Sequence, residues 1–152
     1  MQITAAVVNE KGGEFVLEKL AQKEPRENEV RVKIVATGTC HTDMVSRDMM
    51  LGSPKPPMIL GHEGAGIVDQ VGSQVTKVKK GDHVVLTFGY CGKCINCRRG
   101  KMTYCLDFIA LNMGGCRMDG SHSHFRGEQP VDDNFFSQSS FAPIPSRMRT
   151  TW

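Results

Sequence analysis

Four cysteines lie within one short stretch, CGKCINCRRGKMTYC, and their spacing is C-x2-C-x2-C-x7-C. Two-residue gaps let neighbouring thiolates face one cation, and the longer gap lets the last cysteine complete a tetrahedron. Zinc prefers four such sulfurs, at about 2.3 Å, in closed structural sites. The stretch is too polar to fix its own shape by burying apolar surface. We therefore predict a structural zinc in a lobe at about residues 89–106, with the ligands Cys91, Cys94, Cys97 and Cys105.

Iron–sulfur ligation and disulfides are the two alternatives for these cysteines. Bacterial iron–sulfur loops close with C-x3-C-P, whereas Leu106 follows Cys105 here and the last gap is longer. Disulfides require an oxidising compartment. The first residues, MQITAAVVNE, lack the basic start and long apolar segment of a signal peptide. We therefore expect a cytoplasmic protein with reduced thiols, and we favour zinc.

The overall composition narrows the classes of partner. The chain has 152 residues and a formal net charge of +3, which is too small a charge to predict nucleic-acid binding. No apolar run approaches the length of a membrane span. Hydrophobic residues make up 39% of the chain, which is enough for the core of a single domain. We expect no nucleic-acid and no membrane partner.

Short strands separated by glycine turns must position the cysteines. Residues 30–36, VRVKIVA, alternate between apolar and basic side chains, which is typical of a half-buried strand. Close spacing of such segments favours a mainly β fold, a barrel or sandwich, over βαβ units. Residues 112–134 have a loop-like composition, in which we expect His122 and His124 to be exposed. Residues 135–142, FFSQSSFA, are predicted to form one more strand.

Two further potential metal ligands precede the four-cysteine stretch. Cys40 lies in GTCHTD, where one helical turn is expected with Thr39 as its N-cap, and His62 lies in GHEGAG. Taken alone, such a cysteine is usually a small buried apolar residue, and such a histidine is often a turn residue. GTCHTD, GHEGAG and the four-cysteine stretch occur together in this order and spacing. We therefore interpret Cys40 and His62 as candidate metal ligands.

The three motifs resemble those of the zinc-dependent alcohol dehydrogenases of the medium-chain dehydrogenase/reductase family. The segments TGTCHTD, LGHEGAG and GDHVVL, the pattern at 112–121 and SQSSFA at 137–142 resemble the aryl-alcohol (benzyl-alcohol) dehydrogenases in particular. The resemblance covers residues 1–142. It implies a GroES-like β-barrel with short helices and a zinc-binding lobe.

The resemblance also implies a catalytic zinc with Cys40 and His62 as two protein ligands. An open position on the ion would let an alcohol bind and lose its proton more easily. The implied reaction oxidises primary alcohols, aromatic ones included, to aldehydes by hydride transfer to NAD(P). The partner would then be a small-molecule alcohol or aldehyde, and the family commonly forms homo-oligomers.

Four neighbouring residues take their roles from the same resemblance. Asp43 matches the acid that orients a zinc ligand, and Glu63 follows the ligand histidine and is placed to act as a transient ligand. Thr42 matches the hydroxyl that relays the alcohol proton, and His41 matches a contact to the cofactor pyrophosphate. Each has a simpler interpretation: Thr42 as a helix cap, Asp43 as a turn acid and His41 as a solvated side chain.

The chain also departs from the family pattern. No G-x-G-x-x-G turn followed by a helix is present, so we expect the Rossmann cofactor domain to be absent and this chain alone to be inactive. The third catalytic-zinc ligand of the family lies beyond the matched region. Residues 143–152, PIPSRMRTTW, form a divergent tail that we expect to be disordered. Their abrupt departure from the family pattern suggests a truncated or frameshifted product. The alternative function is a non-catalytic zinc-stabilised binding or subunit-association module.

Overall fold

The structure is a computed structural model that describes residues 1–49 and 54–143. The predicted tail therefore lies, except for Pro143, outside the described residues. Strands predominate, which confirms the mainly β prediction. The strands are β1 (Gln2–Val8), β2 (Phe15–Gln22), β3 (Val30–Thr37), β4 (Met58–Ile59), β5 (Gly64–Val71), β6 (His83–Val85), β7 (His124–Arg126) and β8 (Gln129–Val131). The helices are α1 (His41–Arg47), α2 (Ile95–Arg98) and α3 (Phe108–Met113), with single 3-10 turns at Met102–Tyr104 and Phe135–Ser137.

Two antiparallel sheets form the body of the molecule. The first has the strand order β4-β1-β2-β7-β8, and the second has the order β3-β5-β6. Strands β1 and β2 form a hairpin, with Gln2 opposite Ala21 and Val8 opposite Phe15. No helix in the described part of the chain is long and apolar enough to cross a membrane.

The side chains of each sheet alternate between core and surface as the strand period requires. Val30 and Val32 of β3 are buried, whereas Lys33, the next residue of the same strand, is exposed to solvent. Strand β5 lies so close to β3 that a Cβ on Gly66 would stand 2.2 Å from the carbonyl oxygen of Lys33. A glycine is therefore required at that crossing. Pairing shifts by one residue between Ile34 and Ala36, and this irregularity leaves Val35 exposed.

The strand predicted at residues 135–142 is wrong. The segment forms a 3-10 turn at Phe135–Ser137 and then irregular backbone. Phe136, Ser137 and Ser139 have φ angles of 50°, 58° and 51°. This left-handed conformation cannot continue a strand, and it is uncommon for residues other than glycine. The sequence shows no signal for it.

The loop predicted at residues 112–134 is also wrong, because it contains the end of α3 and the strands β7 and β8. His124 is 1% exposed rather than solvated, and its Nδ1 lies 2.8 Å from Oδ2 of Asp133. His122 is partly buried, with Nε2 3.1 Å from Oδ1 of Asp132. A carboxylate partner for each ring offsets the cost of taking it out of water.

A buried ion pair joins the start of β3 to the segment before β7. Arg117 donates from Nε to Oε1 of Glu29 at 2.7 Å and from Nη2 to Oε2 at 2.9 Å. The two side chains are only 3% and 2% exposed. Hydrogen bonds to Glu29 and its negative charge raise the pKa of Arg117 against the opposing effect of burial. Both charges are therefore paired where water cannot solvate them.

We predict that Glu29→Gln destabilises the fold by about 3–5 kcal/mol, because it leaves the buried Arg117 charge uncompensated. The matched control is Asp119→Asn, which removes the carboxylate from the exposed Arg26–Asp119 pair at 2.6 Å and should cost about 1 kcal/mol or less. Urea unfolding of both variants gives the comparison. Equal losses for the two would show that burial of the Glu29 pair does not matter.

Candidate metal centres

The four cysteines of the lobe converge on one point. Their Sγ atoms all lie within 4.8 Å of one another, and those of Cys91 and Cys97 are 4.0 Å apart. Four sulfurs bound tetrahedrally to zinc would stand about 3.8 Å apart. None of the cysteines forms a disulfide. The donor set and its size therefore fit a closed four-thiolate zinc site.

Backbone amides around the lobe point at the sulfurs. The N–H of Cys91 donates to Sγ of Cys105, and the N–H of Cys94 donates to Sγ of Cys91, both at 3.3 Å. Backbone hydrogen bonds from Leu106 and Cys97 lower the pKa of the Cys94 thiol to about 6. Amide donors stabilise the thiolate, which is the form that binds a metal. Burial has the opposite effect on two neighbours: it raises the pKa of the Cys91 thiol and raises that of Cys97 to about 12. The amides therefore favour the thiolate at Cys94, and a bound cation would have to stabilise it at Cys91 and Cys97.

Short helices supply these positions. Cys94 is the N-cap of α2, and Cys97 lies on α2 itself. Cys105 follows the 3-10 turn directly and is 5% exposed. The fixed curvature of one short helix and one turn brings all three sulfurs to the same side, where a simple extended loop would spread them apart.

A buried asparagine closes the base of the lobe. Oδ1 of Asn112 accepts the N–H of Gly89 at 2.7 Å, and its Nδ2 donates to the carbonyl oxygens of Gly89 and Phe108 at 2.8 Å. The side chain is fully buried. Sequence reasoning missed this residue because its partner lies 23 positions away. These hydrogen bonds therefore hold together the two ends of the segment that carries the lobe.

The second centre brings together Cys40, His62 and Glu63. One ligand atom of each lies within 4.8 Å of the others, and Sγ of Cys40 is 3.3 Å from Nε2 of His62. Cys40 is itself the N-cap of α1, so the N-cap predicted at Thr39 is wrong. The thiolate, imidazole and carboxylate form a donor set that zinc accepts.

Asp43 fixes the geometry of this second centre. Its side chain is buried, and Oδ1 lies 3.2 Å from Nδ1 of His62 and accepts the N–H of Gly61 at 3.0 Å. Oδ2 accepts the N–H of Cys40 at 3.0 Å. A bond to Nδ1 leaves Nε2 of the ring facing Cys40. The carboxylate thereby orients one donor and anchors the backbone of the other.

Two phenylalanines enclose the ring of His62. Phe136 stacks on it, with centroids 4.8 Å apart and an interplanar angle of 28°, and Phe135 meets it edge-on at 5.4 Å. Sequence reasoning missed both contacts because the segment was predicted to be a strand. The double phenylalanine beside a polar run was the signal available, but its contact with His62 depends on the unusual turn.

The remaining predicted residues surround the second centre at its surface. Thr42, the second residue of α1, is partly buried, and its N–H donates to Sγ of Cys40 at 3.3 Å. His41 is the first residue of α1, with an exposed side chain. Glu63 is exposed, with its carboxylate against Gly38. The structure thus places Glu63 within the cluster, Thr42 beside it and His41 at the solvent edge.

Known proteins share both the sequence and the fold. Residues 26–127 match the family described as the alcohol dehydrogenase GroES-like domain. Geraniol dehydrogenase of Castellaniella defragrans is 45% identical over 139 residues, which are 90% of this chain and 36% of that protein.

Two solved structures superimpose closely. An alcohol dehydrogenase zinc-binding domain protein from Burkholderia ambifaria has a TM-score of 0.95 at 44% identity. Benzyl alcohol dehydrogenase from Acinetobacter calcoaceticus has a TM-score of 0.91 at 42% identity. Each match covers 99% of this chain and about two fifths of the other, 41% and 40% respectively. The chain thus spans little more than a third of the length of such relatives.

These matches confirm the family and the GroES-like fold that the three motifs predicted. The chain belongs to the alcohol dehydrogenase GroES-like domain family, with the zinc-type alcohol dehydrogenases as its relatives.

Proposed function

We propose that the chain is the zinc-binding catalytic part of an NAD(P)-dependent alcohol dehydrogenase. The observation that carries the proposal is the 3.3 Å approach of Cys40 Sγ to His62 Nε2, with the Glu63 carboxylate in the same cluster. Asp43 behind the histidine supports it, because metal-binding histidines usually donate their second nitrogen to a carboxylate.

The residues of the second centre divide the work of the reaction. A bound zinc ion with an open position would lower the pKa of an alcohol hydroxyl. Cys40 and His62 would hold that ion, and Glu63 lies close enough to complete the set. The backbone N–H of Thr42 donates to the Cys40 sulfur, which places this residue next to the metal ligands. Its hydroxyl would accept the alcohol proton. His41 at the exposed start of α1 would contact the cofactor pyrophosphate.

The substrates we propose are primary alcohols, aromatic ones included, which would leave as aldehydes. Two similar proteins carry the names geraniol dehydrogenase and benzyl alcohol dehydrogenase. The hydride would pass to NAD(P). The lobe would bind a second, structural zinc, and the protein would work in the cytoplasm without a nucleic-acid or membrane partner.

An association module is the second candidate, and an apolar groove favours it. The groove has a volume of about 470 Å³ and lies between β1, β2 and β3. Leu17 and Val35 on its walls are 74% and 65% exposed. Apolar surface of this kind marks contact with another polypeptide, such as a second copy of the chain. This function requires only the lobe metal.

We predict that Cys97→Ser removes the lobe metal and destabilises the lobe. Structural zinc in small zinc-binding peptides contributes about 10–16 kcal/mol, and three ligands would leave an open site. Cys116→Ser is the matched control, because Cys116 belongs to neither cluster. Elemental mass spectrometry and limited proteolysis measure the two effects. Retention of all zinc by Cys97→Ser would contradict the four-thiolate assignment.

We predict that Cys40→Ser removes only the second metal and leaves the lobe metal bound. Asp43→Asn should weaken that second metal about 10–100-fold, because the ring of His62 loses its orienting acceptor. Zinc titration with a chromogenic chelator as competitor measures the affinities. If the wild-type chain binds only the lobe metal, the result contradicts the dehydrogenase proposal and supports the association module.

The catalytic role of Thr42 can be tested in a chimaera, in which this chain replaces the matching segment of geraniol dehydrogenase. We predict that Thr42→Val lowers kcat for alcohol oxidation about a hundredfold, because the proton loses its acceptor. Thr42→Ser keeps the hydroxyl and should retain most activity. Equal rates for Thr42→Val and wild type would remove Thr42 from the mechanism.

A further inference from the structure

A continuous row of aromatic rings connects the two candidate metal centres. It begins at Tyr90, which directly precedes Cys91 of the lobe, and ends on the imidazole of His62. Successive ring centroids are 6.4 Å apart for Tyr90 and Phe88, 5.6 Å for Phe88 and Phe108, 6.4 Å for Phe108 and Phe136, and 4.8 Å for Phe136 and His62. Each contact lies in the range where aromatic rings attract one another.

Helix α3 provides a second, polar connection along the same path. Its first residue, Phe108, donates its N–H to the carbonyl oxygen of Cys105, the last cysteine of the lobe, at 3.0 Å. Near its other end, the carbonyl oxygen of Leu111 accepts from Oγ of Ser137 at 2.8 Å and from Nδ2 of Asn134 at 2.9 Å. The lobe thus fixes one end of α3, and α3 fixes the turn that carries Phe136.

The turn at Phe136 depends on these supports. Residues other than glycine in the left-handed region cost about 1–3 kcal/mol each, and Phe136, Ser137 and Ser139 all lie there. The turn therefore persists only because its surroundings hold it. Oγ of Ser139 anchors it to the carbonyl oxygen of Ile59 at 2.8 Å, and α3 holds the other side.

We propose that Phe136 is a positioning residue for His62 and that metal binding in the lobe strengthens metal binding at Cys40, His62 and Glu63. The inference rests on the proposed function, because it needs a metal at the second centre. A filled lobe orders Cys105 and α3, α3 holds the turn, and the stacked ring of Phe136 keeps the imidazole plane aimed at Cys40. Without that face the ring of His62 loses its stacking partner and keeps the contact of Nδ1 with Asp43 and the edge-on contact with Phe135.

Coupling of this kind is reciprocal. A metal at the second centre fixes His62, and through Phe136 and α3 it also steadies the lobe. The two sites are then loaded in order, the closed four-thiolate site first and the weaker three-donor site second. A chain with an empty lobe holds its second metal poorly even though Cys40, His62 and Glu63 are intact.

The test is a cobalt titration of the 152-residue chain whose lobe has first been filled with one equivalent of zinc. Cobalt then reports on the second centre through its thiolate absorption, which requires Cys40. Phe136→Leu should weaken cobalt binding about tenfold, as loss of an outer positioning group does, and Phe136→Tyr should restore it. Phe125→Leu is the matched control, because that ring lies on β7 under Nζ of Lys23 and does not belong to the aromatic row.

Two further variants test the path from the lobe. Phe108→Leu changes no metal ligand and should also weaken cobalt binding. Cys97→Ser is titrated with cobalt after the absorption of its three remaining lobe thiols has been subtracted, as measured in the double variant with Cys40→Ser. It should weaken the second centre in the wild-type background but add little to Phe136→Leu, because both changes break one connection. Urea unfolding of every variant confirms that it is folded. If Phe136→Leu does not fold, Phe108→Leu and Cys97→Ser decide the question.

The outcomes separate the inference from the function on which it rests. A wild-type chain that shows no cobalt–thiolate absorption refutes the proposed metal centre and the inference together. Wild-type affinity in Phe136→Leu overturns the positioning role alone and leaves the dehydrogenase proposal standing. Weakening by Phe136→Leu without weakening by Phe108→Leu and Cys97→Ser overturns the coupling between the centres.

Discussion

The arrangement of the second centre depends on one buried carboxylate, that of Asp43. A charge taken out of water is tolerated only when hydrogen bonds replace its solvation. Asp43 obtains those bonds from the N–H groups of Cys40 and Gly61 and from the ring of His62. The same bonds tie α1 to the segment before β5. Two parts of the chain that are distant in sequence thus meet because one anion needs partners from both.

The cysteine cluster of the lobe and strands such as β3 could be predicted from the sequence because their signals are local. The gaps between Cys91, Cys94 and Cys97 leave few arrangements other than three sulfurs on one side of a short loop. Alternation along β3 likewise follows from the period of a strand. That Cys40 and His62 belong to one cluster was predicted from the family resemblance instead. Neither short motif by itself indicates which other part of the chain it contacts.

The features that sequence reasoning missed depend on distant contacts or on rare backbone conformations. Glu29 and Arg117 are 88 positions apart, and each alone has the appearance of a surface charge. Burial of His124 depends on its contact with Asp133, two residues after the end of β8, and no periodic pattern in the sequence predicts that contact. The left-handed φ of Phe136 has no glycine to signal it. Contacts between distant parts of the chain stabilise each of these exceptions. A pattern of residue types along the sequence does not contain those contacts.

The hydrogen bonds between Gly89 and Asn112 also bear on how the segment between these two residues can change in length. One side-chain amide joins the two ends of this segment, which are 23 positions apart in the sequence. The entropy of closing a flexible loop grows slowly, by about 0.6 kcal/mol for each doubling of its length. Insertions at the exposed residues 99–101 therefore leave the sheets undisturbed. Evolution or an engineer can lengthen the segment there, provided that the four cysteines and α3 keep their places.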